Sequence, residues 1–186
     1  MIGYAFCGSF CTLSASLDIL KELKNTEGEI LPIVSYAVHD TDTRFWKSHD
    51  FLKEVSDICN VSPLCSITDT EPLGPKIKLD ALIIAPCTGN TLAKIANGIT
   101  DTPVTMAAKA HLRSDRPLLI ALASNDALSA NLKNIATLLS RKSVYFVPMR
   151  QDDPINKPHS LVCDFSKLTN SYNNMKKGIQ STPLFL

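Results

Sequence analysis

Short apolar runs alternate along the chain with stretches whose apolar residues recur every three or four positions. Ile2 to Phe6 is the first run, and Gly8-Ser9 ends it. Leu13, Leu17, Leu20 and Leu23, with Ile19 beside them, follow at helical spacing, and Lys24-Asn25 closes that helix. Ile30 to Val34 predicts a second strand. The polar stretch Ser35 to Arg44 is rich in turn formers, and Phe45, Leu52, Val55 and Ile58 then predict a second amphipathic helix. A loop holding Pro63, Pro72, Gly74 and Pro75 comes next, with one short strand near Leu64 to Ile67.

Leu82 to Ala85 is apolar at every position, the pattern of a central parallel strand covered on both faces. Leu92, Ile95 and Ala96 predict a helix that Gly98 ends. Asp101-Thr102-Pro103 reads as a helix start with Pro in the first turn. Pro117 to Ala123 is the next buried strand, Asn125-Asp126 is expected to cap a helix through Leu128, Leu132, Ile135 and Leu139, and Val144 to Val147 is the last core strand. Met149 to Cys163 reads as irregular, and a final helix spans Asp164 to Lys177. Strands alternating with helices predict one α/β domain over residues 1–186, a three-layer Rossmann-like or flavodoxin-like parallel sheet with helices on both faces.

Composition narrows the class of function. The 186 residues carry 19 Lys+Arg against 18 Asp+Glu, so the net charge is +1 and the basic excess of a nucleic-acid binder is missing. The longest apolar run, Ala81 to Ala85, is strand-sized and far short of the roughly 20 residues a membrane helix needs. Met1 leads directly into Ile2-Gly3-Tyr4 with no basic leader, which predicts a cytoplasmic protein. The six cysteines include no CxxC pair, and the four histidines, His39, His49, His111 and His159, are scattered, so no metal site is expected and the thiols read as small hydrophobes. There is no GxGxxG after the first strand, no GxxxxGK[ST], no GxSxG and no HExxH.

In open α/β sheets ligands sit beyond the carboxyl ends of the strands, at the point where strand order reverses. The segments following the predicted strands are Cys7-Gly8-Ser9-Phe10-Cys11-Thr12, Ser35-Tyr36-Ala37, Pro86-Cys87-Thr88-Gly89-Asn90-Thr91 and Ser124-Asn125-Asp126. All are rich in hydroxyls, amides and glycine. Such residues also serve as ordinary caps and turns, but four of them on one predicted face suit a phosphorylated, planar heteroaromatic ligand. Backbone N–H groups would take its phosphate and neutral amides the edge of its ring.

These residues carry a resemblance. Pro86-Cys87-Thr88-Gly89-Asn90-Thr91, followed by Ala93 to Gly98 and Asp101, resembles the PxSxNT-type motif of the flavoprotein family of cysteine decarboxylases and their relatives. Gly8-Ser9 and Ser35-x-Ala37 are similar to that family's phosphate and flavin loops, and Ala123 to Leu128 to its PxMNxxM motif, with Ala123 in place of Pro and Ser124 in place of Met. The resemblance implies FMN as cofactor, with its phosphate on Ser9 and Ser35 beside Gly8. Asn90 and Asn125 would lie at the ring, and Thr88, Gly89, Thr91 and Ser124 would order the loops. The decarboxylases carry a His on the loop before the PxSxNT strand. Ser66 to Asp80 has none, which argues against decarboxylation.

A further set of segments resembles one branch of that family, the B subunits of dipicolinate synthases: Asp40 to Phe45, Glu71-Pro72-Leu73-Gly74-Pro75-Lys76, Met106 to Ala110, and Gln151-Asp152-Asp153-Pro154 with Lys157-Pro158. This resemblance implies an oxidoreductase subunit that acts with the larger A subunit of the synthase in oxidising dihydrodipicolinate to dipicolinate. It also implies NADP reached through that larger partner, a role in sporulation within the mother cell, and a homo-oligomer of three or more chains. A non-catalytic binding or assembly subunit is the alternative. A dicarboxylate needs cations, and Arg113 with Lys109 one helical turn before it form the expected substrate clamp, ahead of Arg44, His111 and Lys157. His39 and His159 are candidate acid–base groups. The helix from Pro103 to Leu112 is apolar over most of its circumference, which is expected to mark an interface between chains.

Overall fold

The computed structural model describes residues 1–74 and 76–186; Pro75 of the Glu71–Lys76 motif lies outside the described residues. The central parallel strands are β1 (Ile2–Phe6), β2 (Ile30–Val34), β3 (Leu82–Cys87), β4 (Leu118–Ser124) and β5 (Val144–Phe146). Two short strands, β6 (Met149–Arg150) and β7 (Leu161–Cys163), complete a sheet of order β2-β1-β3-β4-β7-β6, with β5 also on β4. Pairing is parallel from β2 through β4 to β5 and antiparallel where β7 meets β4 and β6. The expected all-parallel sheet therefore gains an antiparallel flap. The stretch expected to be irregular supplies it, because strands of two and three residues are too short to show a period of two.

Among the described residues eight α-helices flank the sheet: α1 (Leu13–Glu27), α2 (Tyr36–Asp40), α3 (Ser48–Cys59), α4 (Ile67–Thr70), α5 (Gly89–Ala96), α6 (Pro103–Leu112), α7 (Leu132–Leu139) and α8 (Leu168–Lys176). Alternate strand residues point to opposite faces. Ile2, Tyr4 and Phe6 of β1 pack with Leu13, Leu17, Leu20 and Leu23 of α1, Phe51 and Val55 of α3, and Leu168 and Tyr172 of α8. Ala5, Leu82, Ile84, Leu118 and Ile120 pack on the other face with Leu92 and Ile95 of α5, Val104, Ala107 and Ala108 of α6, and Ile135 and Leu138 of α7. Each fully buried Leu or Ile contributes about 1.5–3 kcal/mol relative to exposure.

Local signals explain the boundaries. The Thr102 side chain accepts from Thr105 N, the Thr105 side chain accepts from Thr102 N, and Pro103 occupies the first turn, so α6 starts as the sequence predicts. Gly98, at φ +73, terminates α5 in the left-handed conformation a side chain would resist. Three expectations fail. Ser35 caps the short helix α2 inside the supposed turn-rich stretch. Leu64 makes only an isolated bridge to Ile33 before α4 begins. Helix α7 starts at Leu132, because Asp126 accepts from Ser124 and Asn131 and caps nothing.

Two polar devices hold the layers in place. Tyr4 Oη donates to Ser16 O (3.1 Å) and Ser16 Oγ donates to Ala85 O (2.6 Å), tying α1 to β3 inside the core. At the edge of β5 away from β4, Gln180 Nε2 donates to Phe146 O (2.7 Å) while its Oε1 accepts from Phe146 N (2.9 Å). One side-chain amide thus stands in for a neighbouring strand at an edge that would otherwise be unpaired.

Candidate active site at the carboxyl ends of the strands

Strand order reverses between β1 and β3, since the chain leaves β1 for β2 on one side and returns to β3 on the other. At that point lies a cleft of two adjoining lobes, about 520 Å³ and about 360 Å³, which share Gly8, Thr88 and Asn90. The volumes fall in the range of cavities that hold cofactor-sized ligands. The larger lobe adds Ser9, Gly89, Ser124 and Asn125, and the smaller adds Ser35 and Thr91. The structure thus brings together all nine residues expected at a cofactor.

Each strand end is shaped by its own hydrogen bonds. After β1, Ser9 N donates to Cys7 O (2.8 Å), and Thr12 Oγ1 donates to Ser9 O (2.8 Å) and Oγ (3.1 Å), so a tight turn presents Ser9 before α1. After β2, Ser35 N donates to Phe6 O (2.9 Å) and its Oγ accepts from Val38 N (3.4 Å). After β3 the register with β4 shifts between Ile84 and Cys87, an irregularity of the kind that re-aims side chains beside sites. Thr88 then caps α5, its Oγ1 accepting from Thr91 N at 3.4 Å. Asn90, one residue into α5, is exposed and lines both lobes.

Gly89 is the residue on which α5 and β4 close. A Cβ there would lie 2.3 Å from Ser124 Oγ, 2.7 Å from Asn131 Nδ2 and 2.8 Å from Asp126 Oδ1. Those three groups form one network beneath it. Ser124 Oγ donates to Asp126, and Asn131 Nδ2 donates to both carboxylate oxygens at 2.9 Å. Asn134 Nδ2 donates to Asn131 Oδ1 (2.8 Å), and Asn97 Nδ2 to Asn134 Oδ1 (3.3 Å). The Ser124 hydroxyl, then the Asn131 amide, hold the Asp126 carboxyl below its usual range, so it stays ionised. Cys7, buried behind the cleft, has its thiol pushed up to about 11, chiefly by burial, and is a packing group. Of the six cysteines, four are buried and Cys65 is half-buried; Cys11 alone is exposed, and it lines the larger lobe.

The walls of the larger lobe include Arg44 and Lys157, the secondary candidates for a substrate carboxylate, and Val162, which the sequence did not single out. Phe10, Phe45, Ala123 and Val162 supply apolar surface, and Phe45 stands outside α3, into which its spacing had placed it. Arg44 lines the lobe on the side that follows β2; Asp152 and Lys157, paired at 2.9 Å, line it from the β6–β7 segment. The titratable side chains here are Cys11, Arg44, Asp126, Asp152 and Lys157, with no histidine among the lining residues. His39 bonds Asp40, and His159 is exposed. His111 is buried instead, with Nε2 on Pro117 O at 2.9 Å, and burial pushes its pKa down; it cannot hold a substrate carboxylate.

Lys109 and Arg113 are not at this cleft. They line a separate cavity of about 300 Å³ with Ile95, Ile99, Thr105, Leu112 and Arg141. Thr102, at the start of α6, touches the smaller lobe. At 1.5 Å per residue, Lys109 lies roughly 10 Å and Arg113 roughly 16 Å further along the axis. The apolar breadth of α6 is also consumed within the chain. Val104, Ala107, Ala108, Ala110 and His111 are buried against α4, α5 and the sheet, so the apolar breadth of this helix is accounted for without a second chain.

The fold and site define the class. Residues 2–181 match the family described as Flavoprotein, and the chain belongs to it. It is 40% identical over 185 residues to the dipicolinate synthase B subunit of Bacillus subtilis, covering 100% of this chain and 92% of that one. The crystal structure of the dipicolinate synthase B subunit from Bacillus halodurans superposes with a TM-score of 0.90 at 37% identity, covering 100% of this chain and 95% of that one. An FMN-dependent cysteine decarboxylase, SpaF, shares the fold at a TM-score of 0.69 and 21% identity over 95% of each chain. Among the described residues no helix is long and apolar enough to cross a membrane.

Proposed function

We propose that this chain is the FMN-binding subunit of a dipicolinate synthase, working with the larger A subunit to oxidise dihydrodipicolinate to dipicolinate during sporulation. Identity over the whole chain to a B subunit supports the assignment. The observation that carries the cofactor is the cleft itself: hydroxyls and amides from the ends of β1, β2, β3 and β4 converge on the switch point, and Gly8 and Gly89 let those strand ends pack closely around it. Bound there, FMN would supply an acceptor for the hydride that leaves as the ring becomes aromatic.

The chain's own residues bind and orient. Ser9, Ser35 and the adjoining backbone N–H groups would take the phosphate, and Asn90 and Asn125 the edge of the ring system. Thr88, Thr91 and Ser124 hold those loops through the bonds described above. Phe10, Ala123 and Val162, which line the larger lobe, would shield one side of the bound group from water. NADP, held by the larger partner, would be the external acceptor. The reaction belongs to the mother-cell cytoplasm. Residues 1–186 would form one domain, and assembly into a homo-oligomer is supported by a dodecameric FMN-dependent decarboxylase of the same fold. Lys109 and Arg113, distant from this chain's cleft, would then meet a substrate only across a boundary between chains.

One observation favours a second reading, a non-catalytic binding or assembly subunit. Among the described residues no histidine lines the cleft, and Asp152 and Lys157 pair with each other there. Titrating FMN into the apoprotein by flavin fluorescence quenching separates the two. Saturable binding that Ser9→Ala and Ser35→Ala each weaken about tenfold, the loss of one hydrogen bond to a charged group, supports the flavin reading. No quenching in the wild type removes it.

A further inference from the structure

The turn that carries Arg44 and Phe45 is fixed at its base and unsupported at its tip. Thr43 N donates to Trp46 O (2.9 Å), and Thr43 Oγ1 accepts from Phe45 N and Trp46 N (3.2 Å each). The Trp46 ring packs edge-on against Phe51 (centroids 5.5 Å apart) and its Nε1 donates to Ser14 Oγ (3.2 Å). Asp42 accepts from Ser48 N (2.9 Å) and pairs with Lys47 (3.2 Å). Between these anchors Phe45 stays 47% exposed, and the Arg44 guanidinium sits 4.8 Å over its ring. Both residues line the larger lobe.

Arg44 differs from the other cation in that lobe. Lys157 is neutralised by Asp152 at 2.9 Å, whereas among the described residues Arg44 makes no ion pair. A guanidinium held against a ring and without an ion pair keeps N–H donors for a bidentate carboxylate. The free face of Phe45 offers a planar surface beside them. A half-exposed aromatic on a turn braced this heavily loses little further entropy when a ligand covers it.

We propose that Arg44 and Phe45 form the specificity clamp of this cleft, selecting planar aromatic carboxylates: Arg44 takes one carboxylate by two parallel hydrogen bonds and Phe45 covers the ring. The clamp deepens the flavin-site reading and rests on it only for the identity of the neighbouring cofactor. It places substrate recognition on the α2–α3 turn, on the side of the cleft that follows β2, and not on the cations of α6.

Calorimetric titration of pyridine-2,6-dicarboxylate tests this, with glutarate as the flexible, ring-free control, on the full chain both with and without added FMN. The wild type should bind the aromatic diacid and discriminate against glutarate by at least tenfold. Arg44→Gln should weaken the aromatic diacid by roughly ten- to a hundredfold, as expected for charge-assisted hydrogen bonds. Phe45→Leu should cost roughly two- to tenfold, the range of an aromatic pair beyond its area, and remove the discrimination. Both side chains are exposed, so neither change endangers folding, and circular dichroism would verify it. Arg44-dependent binding of the diacid by a protein that takes up no FMN would keep the clamp and remove the flavin reading. FMN binding with no diacid affinity, or with affinity unchanged in Arg44→Gln, would overturn the clamp alone.

Discussion

Replacing Gly89 by Ala tests whether α5 and β4 close on each other as described. The added methyl carbon would sit 2.3 Å from Ser124 Oγ, 2.7 Å from Asn131 Nδ2 and 2.8 Å from Asp126 Oδ1, all inside contact distance. Overpacking of this kind costs about 1–3 kcal/mol. Relieving it moves Ser124 off Asp126, which forfeits a hydrogen bond to a charged group, about 1.5–3 kcal/mol. The better helix propensity of Ala returns up to about 1 kcal/mol. The net loss is about 1.5–6 kcal/mol. Urea unfolding of the FMN-free protein, followed by fluorescence of the single tryptophan, Trp46, measures it without ligand linkage. Ser124→Ala removes the nearest contact. The double variant should therefore be less destabilised than the sum of the singles, by about 0.5 kcal/mol or more in the double-mutant cycle, as for other contacting pairs. A loss below about 0.5 kcal/mol for Gly89→Ala, the scale of ordinary surface changes, would refute the packing argument.

Gln180→Ala should destabilise the chain by about 1–3 kcal/mol, two hydrogen bonds' worth, and bare the β5 edge, seen as a lower urea midpoint and faster aggregation on heating. His111 has its pKa lowered by burial, so the folded state binds its proton less readily than the unfolded chain. Its contribution is complete above the unfolded value near 6.5 and is lost as pH falls from there to the depressed folded value. His111→Gln should flatten the urea midpoint between about pH 7.5 and 5.5; an equally steep decline in the variant would assign it to other groups. Arg113→Ala should leave FMN affinity unchanged at protein concentrations where sedimentation shows a monomer, because the cavity it lines shares no residue with the cleft.

The parts of this protein whose physics is local were legible in its residues. Strands β1 to β4 are apolar at nearly every position because both of their faces are covered. Helices α1, α5 and α6 carry their period, and α6 also carries its capping Thr102 and Pro103. The hydroxyls and amides after four strands needed only the switch-point rule to be gathered into one cleft. Tertiary structure alone decided the remainder. Strands β6 and β7 are too short for a pattern, and β4 provides their pairing. Asp126 looked like a helix cap but became the acceptor of a network reaching Asn97, because Ser124 and Asn131 come within hydrogen-bonding distance only after folding. Lys109 and Arg113 do line one cavity, as their spacing required, yet spacing says nothing of which end of α6 adjoins the cleft. Phe45 fitted a helical period and stands instead on a braced turn at the mouth of the cleft, since Thr43 and Trp46 close that turn before α3 begins. A period reports which residues are covered; only the packed fold decides what covers them.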